Sequence, residues 1–371
     1  MKLKKYLIAF WAIPILFSSC IKEEGAFREA DIVKFDLPSD VMLMPTIMVT
    51  VYDTTGMKEA FITPEIEVSP GAIVSPKSGE AVQLKDYAAT YIVTAEDGDK
   101  KEYNVTILPD RPQKYNFESW YTVDKNNDGK LVYDMLSDPL WCNANEGVAL
   151  VYYDYRSFPT LKTKDSKSGE YGMLLETVEG KRNKILYLLD IPLYAGSAFR
   201  GVFVAKDAMK NPLASAKFGQ IHAKSAGKPV RFTGWYKYKS GDQYQTFDVS
   251  KAYDDRVEYL PGVKDELDIY AVLFKVPKGN AGKDIYLTAQ DVQTSDRIIA
   301  SAIVQDRSEK ADWTRFDIPF VYKEGESMDY SQYDYKLAIV FSSSKRGAFY
   351  EGAIGSALYI DEVEVVTEPI E

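Results

Sequence analysis

Aromatic side chains are concentrated between Tyr115 and Tyr155, where several tyrosines accompany two of the five tryptophans. Flat rings of this kind stack on the C–H faces of sugars, and nearby amides and carboxylates bind sugar hydroxyls. A tyrosine-rich β-sandwich with aromatic cross-strand pairs has the same composition, so that structural alternative stays open. The candidate carbohydrate-binding residues are Trp120, Trp141, Asn145 and Glu118, with Trp235 and Tyr236 behind them.

Residues that could catalyse a reaction form no recognisable motif. A glycosidase needs two carboxylates across the scissile bond, and none of the 55 acidic residues lies in such a pattern. Ser–His–Asp catalysis would depend on His222, the single histidine, which lies in a polar segment and is predicted to be at the surface. The sequence therefore favours a non-catalytic protein, with a glycan-active enzyme as the alternative and its catalytic residues unknown.

One short segment has the spacing of metal ligands. Asp124, Asn126 and Asp128 precede Gly129 as in the first half of an EF-hand loop, but Met135 stands where the bidentate glutamate belongs. A hairpin turn is favoured over a calcium site, and no cofactor is expected. Structural calcium is the alternative, with Asp361 near the C-terminus as a further candidate on the analogy of jelly-roll sugar binders.

Charge excludes one class of partner. The chain of 371 residues has a formal net charge of −10, whereas nucleic-acid binding requires a basic face. An acidic, tyrosine-rich protein is compatible with neutral glycans. The length is sufficient for two or three domains, each with its own core.

The first twenty residues have the pattern of a secretion signal rather than of a folded element. Lysines at the N-terminus precede an apolar run from Tyr6 to Phe17, which is too short to span a bilayer comfortably. The Phe17–Cys20 segment resembles a bacterial lipobox, which implies lipidation of Cys20. The following Ile21–Glu24 segment resembles the signal that directs Bacteroidota lipoproteins to the cell surface. We therefore expect a lipid-anchored, surface-exposed protein of the outer membrane, with Cys142 as a buried thiol that has no disulfide partner.

Residues 21–108 are predicted to form a small all-β domain. Alternating apolar residues on both sides of the Asp97-Gly98 turn predict a hairpin over Ala89–Ile107. This hairpin resembles the end of the immunoglobulin-like domains that precede larger modules in Bacteroidota surface lipoproteins. Pro109 and Pro112 disfavour a continuing strand and predict a semi-rigid linker over residues 109–114.

Residues 115–371 are predicted to form one large all-β domain, a sandwich or jelly roll. Many short apolar segments are separated by Gly, Pro, Asn, Asp and Ser clusters, and strong helical periodicity is absent. A change of phase near Asp361-Glu362 predicts a β-bulge in the last strand. The predicted strands include Gly147–Tyr153, Ile185–Leu189, Val230–Tyr238, Ile269–Val276, Ile285–Ala289, Tyr335–Phe341 and Ala357–Val366.

Several segments of this larger domain resemble one family, the putative carbohydrate metabolism domain (PCMD) of Bacteroidota lipoproteins. The resemblance implies a jelly roll similar to carbohydrate-binding modules, behind an immunoglobulin-like domain, and it implies no catalytic residues. The matching segments are Phe117–Trp120, Trp141–Gly147, Ala195–Gly201, Phe218–Gln220, Lys228–Tyr238 and Gly355–Val363.

Together these patterns give three hypotheses for function. The first is a surface lipoprotein that binds a polysaccharide or host glycan through its C-terminal jelly roll. The second is a glycoside hydrolase or other enzyme acting on the same glycans. The third is a structural or adhesive protein that contacts another outer-membrane protein, such as a component of an uptake complex.

Overall fold

The computed structural model describes residues 29–370, apart from 37–39, 43–45, 52–58, 86, 110–112, 152–156, 187–189, 209–210 and 281–284. The signal segment, Cys20 and Tyr152–Tyr155 lie outside the described residues, as do residues 110–112 of the predicted linker, whose residues 109, 113 and 114 belong to strands. The described part is almost entirely β-structure, which confirms the predicted fold class. No helix within it is long and apolar enough to cross a membrane.

The N-terminal part forms a five-stranded sheet and two small antiparallel pairs around one core. The predicted hairpin is confirmed as β8 and β9, which pair from Ala88↔Thr106 to Thr94↔Lys100. Tyr91, Val93, Tyr103 and Val105 alternate into the core. The strands are β1 Ile32–Asp36, β2 Asp40–Met42, β3 Thr46–Val51, β4 Phe61–Ile62, β5 Glu65–Val68, β6 Ile73–Ser75, β7 Val82–Gln83, β8 Ala88–Thr94 and β9 Lys100–Pro109.

The elements of the larger part follow from residue 113. Its helices are α1 Asn145–Val151 and α2 Ala205–Ala208. The strands are β10 Gln113–Tyr115, β11 Trp120–Asp124, β12 Val132–Leu136, β13 Trp141–Asn143, β14 Thr160–Thr163, β15 Gly172–Glu176, β16 Val178–Glu179, β17 Leu193–Tyr194, β18 Ser197–Phe203, β19 Ala216–Phe218, β20 Gln220–Ile221, β21 Lys228–Lys239, β22 Tyr244–Phe247, β23 Val257–Tyr259, β24 Asp268–Pro277, β25 Ile298–Ile303, β26 Lys310–Pro319, β27 Val321–Tyr322, β28 Tyr333–Ser342, β29 Gly352–Ala353 and β30 Ala357–Glu368.

Two sheets pack face to face and enclose the main core. The six-stranded sheet has the order β14-β15-β30-β21-β26, with β10 also paired to β30. The eight-stranded sheet has the order β13-β18-β28-β24-β25-β27, with β19 on β18 and β20 on β28. Side chains such as Phe232, Tyr236, Leu273, Phe341 and Ile360 meet between the sheets. This packing is that of a β-sandwich.

The eight-stranded sheet is buried on both faces, which explains the uninterrupted apolar run of its central strands. One face of β24 belongs to the main core through Leu273, whereas Val272 and Phe274 join a second cluster on the opposite face. Residues 205–218 and 285–298 contribute to that second cluster. This outer layer also forms the walls of a cleft.

Two predicted strands are wrong, a third lies partly outside the described residues, and a predicted bulge is confirmed. Gly147–Tyr153 is predicted to be a strand, but the helix α1 occupies Asn145–Val151, and Asn143 Oδ1 accepts the N–H of its first residue, Asn145. Residues 185 and 186 are not in a strand, and in 285–289 the structure has a single bridge at Leu287. The bulge in β30 is present, since its pairing with β21 shifts register between Thr233 and Trp235.

Candidate functional site

A cleft of about 550 Å³ lies on the outer face of the eight-stranded sheet. Its walls come from α1, the 191–199 segment, residues 203–218, the turn at 289–294 and the segment 342–350. Ligand-binding sites are concave, mainly apolar and carry a few polar groups that fix orientation. The cleft has all three properties.

Aromatic rings from distant parts of the chain line the cleft: Tyr194, Phe203, Tyr270, Phe349 and Tyr350. Phe203 ends β18 and stays half-buried, so part of its ring faces the opening. Phe349 lies in the short 3₁₀ helix Gly347–Phe349, under the Arg346 guanidinium, which is 4.3 Å from the ring centroid. These rings provide apolar faces of the kind that stack on sugars.

A glycine allows the close approach that brings this 3₁₀ helix into the wall. A Cβ on Gly347 would lie 2.2 Å from the Cβ of Ala195, far inside van der Waals contact. Tyr350 then takes a left-handed conformation with φ +62°, which ends the 3₁₀ helix. The position of Phe349 in the wall therefore depends on a residue without a side chain at 347.

The polar floor of the cleft is organised around Asp268. Gln293 Nε2 donates to one carboxylate oxygen at 2.8 Å, and Arg307 donates to the other at 3.1 Å. Burial raises the pKa of Asp268, and the Arg307 guanidinium only partly offsets this. Because both oxygens are engaged, Asp268 positions the Gln293 amide at the cleft surface.

The charges at the cleft are paired. Arg346 forms a two-point ion pair with Glu351, and Lys345 pairs with Glu266 at 2.9 Å. Asp268 is the only carboxylate among the described residues that line the cleft, and Arg307 neutralises it. The cleft therefore favours a neutral ligand and lacks, in its described lining, the carboxylate pair that glycosidases use.

The two tryptophans of the Tyr115–Tyr155 segment pack into or against the core. Trp141 is 5% exposed, stacks on Phe341 at 5.7 Å and meets Tyr115 and Phe117 edge-on. Trp120 is half-buried on β11, and its Nε1 donates to the Phe117 carbonyl. Trp141 is therefore a core side chain, and its ring has no face free to contact a sugar.

Asn145 and Glu118 hold backbone segments together. Asn145 is completely buried; its Nδ2 donates to the carbonyls of Asp134 and Thr160, and its Oδ1 accepts the Thr160 N–H. The Glu118 carboxylate accepts the backbone N–H groups of Glu170 and Tyr171. Both contacts are those of structural clamps.

Trp235 and Tyr236 point to opposite faces of the six-stranded sheet, as consecutive residues of a strand must. Tyr236 is buried in the core and its hydroxyl donates to the Asp306 carbonyl. Trp235 is half-buried on the outer face, beneath the Lys167 ammonium. Of the six candidate sugar-binding residues, none lines the cleft.

The Asp124–Gly129 segment is the turn of the β11–β12 hairpin. Asp124 Oδ2 accepts the Gly129 N–H and Asp128 Oδ1 accepts the Lys130 N–H, whereas Asn126 is exposed. The described residues contain no group of three or more His, Cys, Asp or Glu side chains placed to hold a metal ion. Asp361 accepts three backbone N–H groups, from residues 167, 168 and 362. The segment is a hairpin turn, as favoured from the sequence, and structural calcium stays the alternative prediction at both places.

The structure corrects the prediction for His222 and confirms the prediction for Cys142. His222 was expected at the surface but is buried, with Nε2 hydrogen-bonded to the Gly227 carbonyl at 2.6 Å. Burial lowers its pKa to about 4, so it is neutral at physiological pH. Cys142 is buried as expected, and its thiol donates to Glu146.

Comparison with protein families gives a match over most of the larger part. Residues 113–366 match the family model described as "Putative carbohydrate metabolism domain", PCMD. The chain belongs to the PCMD family. Residues 44–107 match the model described as "SGBP, N-terminal", a domain of Bacteroidota surface glycan-binding proteins.

Two solved structures resemble the chain over more than two thirds of its length. A protein of Bacteroides thetaiotaomicron, described as a putative glycoside hydrolase, shares 30% identity with a TM-score of 0.64, over 93% of this chain and 99% of that one. A protein of Bacteroides vulgatus with the same description shares 28% identity with a TM-score of 0.56, over 69% of this chain and 98% of that one. No curated protein matches the chain.

Proposed function

We propose that this PCMD protein binds a neutral glycan, without cleaving it, in the cleft on the outer face of the eight-stranded sheet. The observation that carries the proposal is the lining: Phe203 and Phe349 offer ring faces, while the Gln293 amide is held by a neutralised Asp268. Stacking on rings with hydrogen bonds from amides suits the alternating C–H and hydroxyl surface of a neutral sugar. The carbohydrate-related family match supports this assignment.

We propose further that the protein works at the cell surface, with its N-terminal module as a spacer. The lipobox-like segment ending at Cys20 and the match to an SGBP N-terminal domain support a lipid-anchored protein of the Bacteroidota outer membrane. In this arrangement residues 21–108 form the immunoglobulin-like module, 109–114 the linker and 115–371 the glycan-binding module. Uptake-complex proteins of the same membrane are the expected neighbours.

A glycoside hydrolase is the second candidate, favoured by the description of the two related structures. Catalysis by the usual route requires a second carboxylate across the bound sugar from the first. In the described cleft lining Asp268 has both oxygens engaged by Arg307 and Gln293, and no second acid accompanies it. Release of reducing sugar from any member of a polysaccharide panel would favour the hydrolase.

The binding proposal is tested with a panel of neutral plant and host glycans immobilised on an array, followed by titration calorimetry of the best ligand. Phe203→Ala removes a ring from the cleft, and Gln293→Ala removes an exposed amide. Each is expected to weaken binding by at least about tenfold, the loss of one good contact. Tyr259→Ala, an exposed ring outside the cleft, is the matched control and should bind normally.

Thermal unfolding of each variant separates lost folding from lost binding. Gln293→Ala removes an exposed side chain from the cleft surface together with its hydrogen bond to the buried Asp268, so its unfolding curve must be compared with that of the wild type. Wild-type affinity in both cleft variants would contradict the assignment of the cleft. Failure of every glycan to bind, with capture of an outer-membrane protein instead, would replace the proposal by the adhesive alternative.

A further inference from the structure

A second aromatic surface lies on the outer face of the six-stranded sheet. Trp235 on β21, Trp313 on β26 and Tyr359 on β30 are all half-buried, while their neighbours Tyr236 and Ile360 are buried in the core. We call the three outer rings the aromatic platform. They come from three adjacent strands, so their relative positions are fixed by the sheet.

Lysine ammonium groups lie over these rings. Lys237 Nζ is 5.2 Å from the ring centroid of Trp313 and 4.6 Å from that of Tyr359, and it pairs with Asp165. Lys167 Nζ lies 4.0 Å from the ring centroid of Trp235. Within the described part of the chain, the Lys167 ammonium contacts the Trp235 ring and forms no ion pair with a carboxylate.

The loop that carries Lys167 is held at the edge of the platform by two carboxylates. Asp361, completely buried, accepts the N–H groups of Lys167 and Ser168 at 2.7 and 3.1 Å. The Glu118 carboxylate accepts the backbone N–H groups of Glu170 and Tyr171. Charge-assisted bonds to backbone N–H groups fix the loop without engaging its lysine side chain. The loop therefore forms a fixed wall beside the aromatic platform, with the Lys167 ammonium above the Trp235 ring.

From this arrangement we infer that the platform is a second, separate binding site, for an acidic glycan. A pyranose ring stacks on Trp235 in place of the Lys167 ammonium, whose four-carbon stem is flexible enough to let it move aside. The ammonium then meets the carboxylate of a uronic acid or a sulfate ester, which present the same anionic oxygens. The site is independent of the cleft, where the charges of the polar floor and rim are already paired.

The probes are short oligogalacturonates for the carboxylate source, sulfated dextran oligosaccharides for the sulfate source, and dextran oligosaccharides as the neutral control. Calorimetry at low salt with the whole chain carrying Phe203→Ala, which weakens neutral binding in the cleft, is expected to show binding of at least one acidic probe and at least about tenfold weaker binding of the neutral one. Which acidic probe binds more tightly identifies the anionic group. Equal affinity for acidic and neutral probes, or no binding of either acidic probe, would overturn the inference.

Two variants locate the site, and two further variants serve as controls. Trp235→Ala should reduce the affinity for the acidic probe about tenfold or more, and Lys167→Gln about fivefold, with a weaker dependence on salt. Lys264→Gln, an exposed lysine elsewhere, is the control and should have no effect. Trp235→Phe keeps an aromatic ring and should retain most of the affinity for the acidic probe. This variant keeps the test informative if Trp235→Ala does not fold.

The cleft variant Phe203→Ala distinguishes the two proposals. It should leave binding of the acidic probe unchanged while it weakens binding of a neutral glycan. If Phe203→Ala abolished acidic binding and Trp235→Ala did not, the platform assignment would be overturned and the cleft would stand. If Trp235→Ala abolished binding of both acidic and neutral glycans and Phe203→Ala abolished neither, the platform would be supported as a binding site and the cleft assignment would be wrong.

Discussion

Asn145 was a candidate sugar contact in the sequence, and the structure makes it a buried clamp whose removal has a calculable cost. Asn145→Ala deletes three hydrogen bonds, at 2.9, 2.7 and 3.0 Å, that join the start of α1 to β12 and β14. At about 1 kcal/mol net for each bond, the free energy of unfolding should fall by about 3 kcal/mol. For a domain of this size that corresponds to a loss of roughly 6–12 °C in Tm.

The assay is thermal and urea unfolding in buffer with a chelator, with Asn126→Ala as the matched control. Asn126 is exposed in the β11–β12 turn, so the same substitution there should change the unfolding free energy by less than about 0.5 kcal/mol. The expected result is a large loss of stability for Asn145→Ala alone, with normal glycan affinity at temperatures where the variant is folded. Unchanged stability combined with lost glycan binding would refute the clamp and restore Asn145 as a ligand contact.

Two further predictions concern stability. Gly196→Ala should destabilise the protein by about 2–3 kcal/mol or more, because the new Cβ would lie 2.3 Å from the Glu176 nitrogen. Gly147→Ala inside α1 would meet only the Phe203 ring, at 3.4 Å, and should be neutral or stabilising by about 0.5–1 kcal/mol. Equal effects of the two substitutions in urea unfolding would contradict this packing. Asp190 is buried, which raises its pKa, but Arg182 and Arg256 outweigh burial, so the pKa lies below its ordinary value of 3.8. Asp190→Asn should therefore lower the free energy of unfolding by about 3 kcal/mol at neutral pH. This difference from wild type should shrink below about pH 4, because Asp190 becomes protonated and its ion pairs are lost as the pH falls through its pKa in the folded protein. A difference that stays constant down to strongly acidic pH would contradict this.

The architecture could be predicted because it depends on local patterns. The Ala88–Pro109 hairpin has alternation on both sides of a strong turn, and the phase change near Asp361 marks a bulge. The segment after Asn145 was assigned to a strand because its Val and Leu residues suit a sheet as well as a helix. The structure has a helix there, and Asn143 Oδ1 accepts the N–H of its first residue.

The candidate site could not be predicted because its residues are remote in sequence and common in type. Phe203, Asp268, Gln293 and Phe349 meet only through the order of strands in the eight-stranded sheet. Ring type alone does not separate a core tryptophan such as Trp141 from an outward one. Strand alternation does carry part of that information, because Trp235 and the buried Tyr236 cannot face the same side.

A crystal structure with the best neutral oligosaccharide from the array would show whether a neutral glycan occupies the cleft. We expect sugar rings against Phe203 and Phe349, with a hydroxyl in hydrogen-bond reach of the Gln293 amide. An oligosaccharide bound elsewhere on the molecule, with the cleft filled only by solvent, would contradict it.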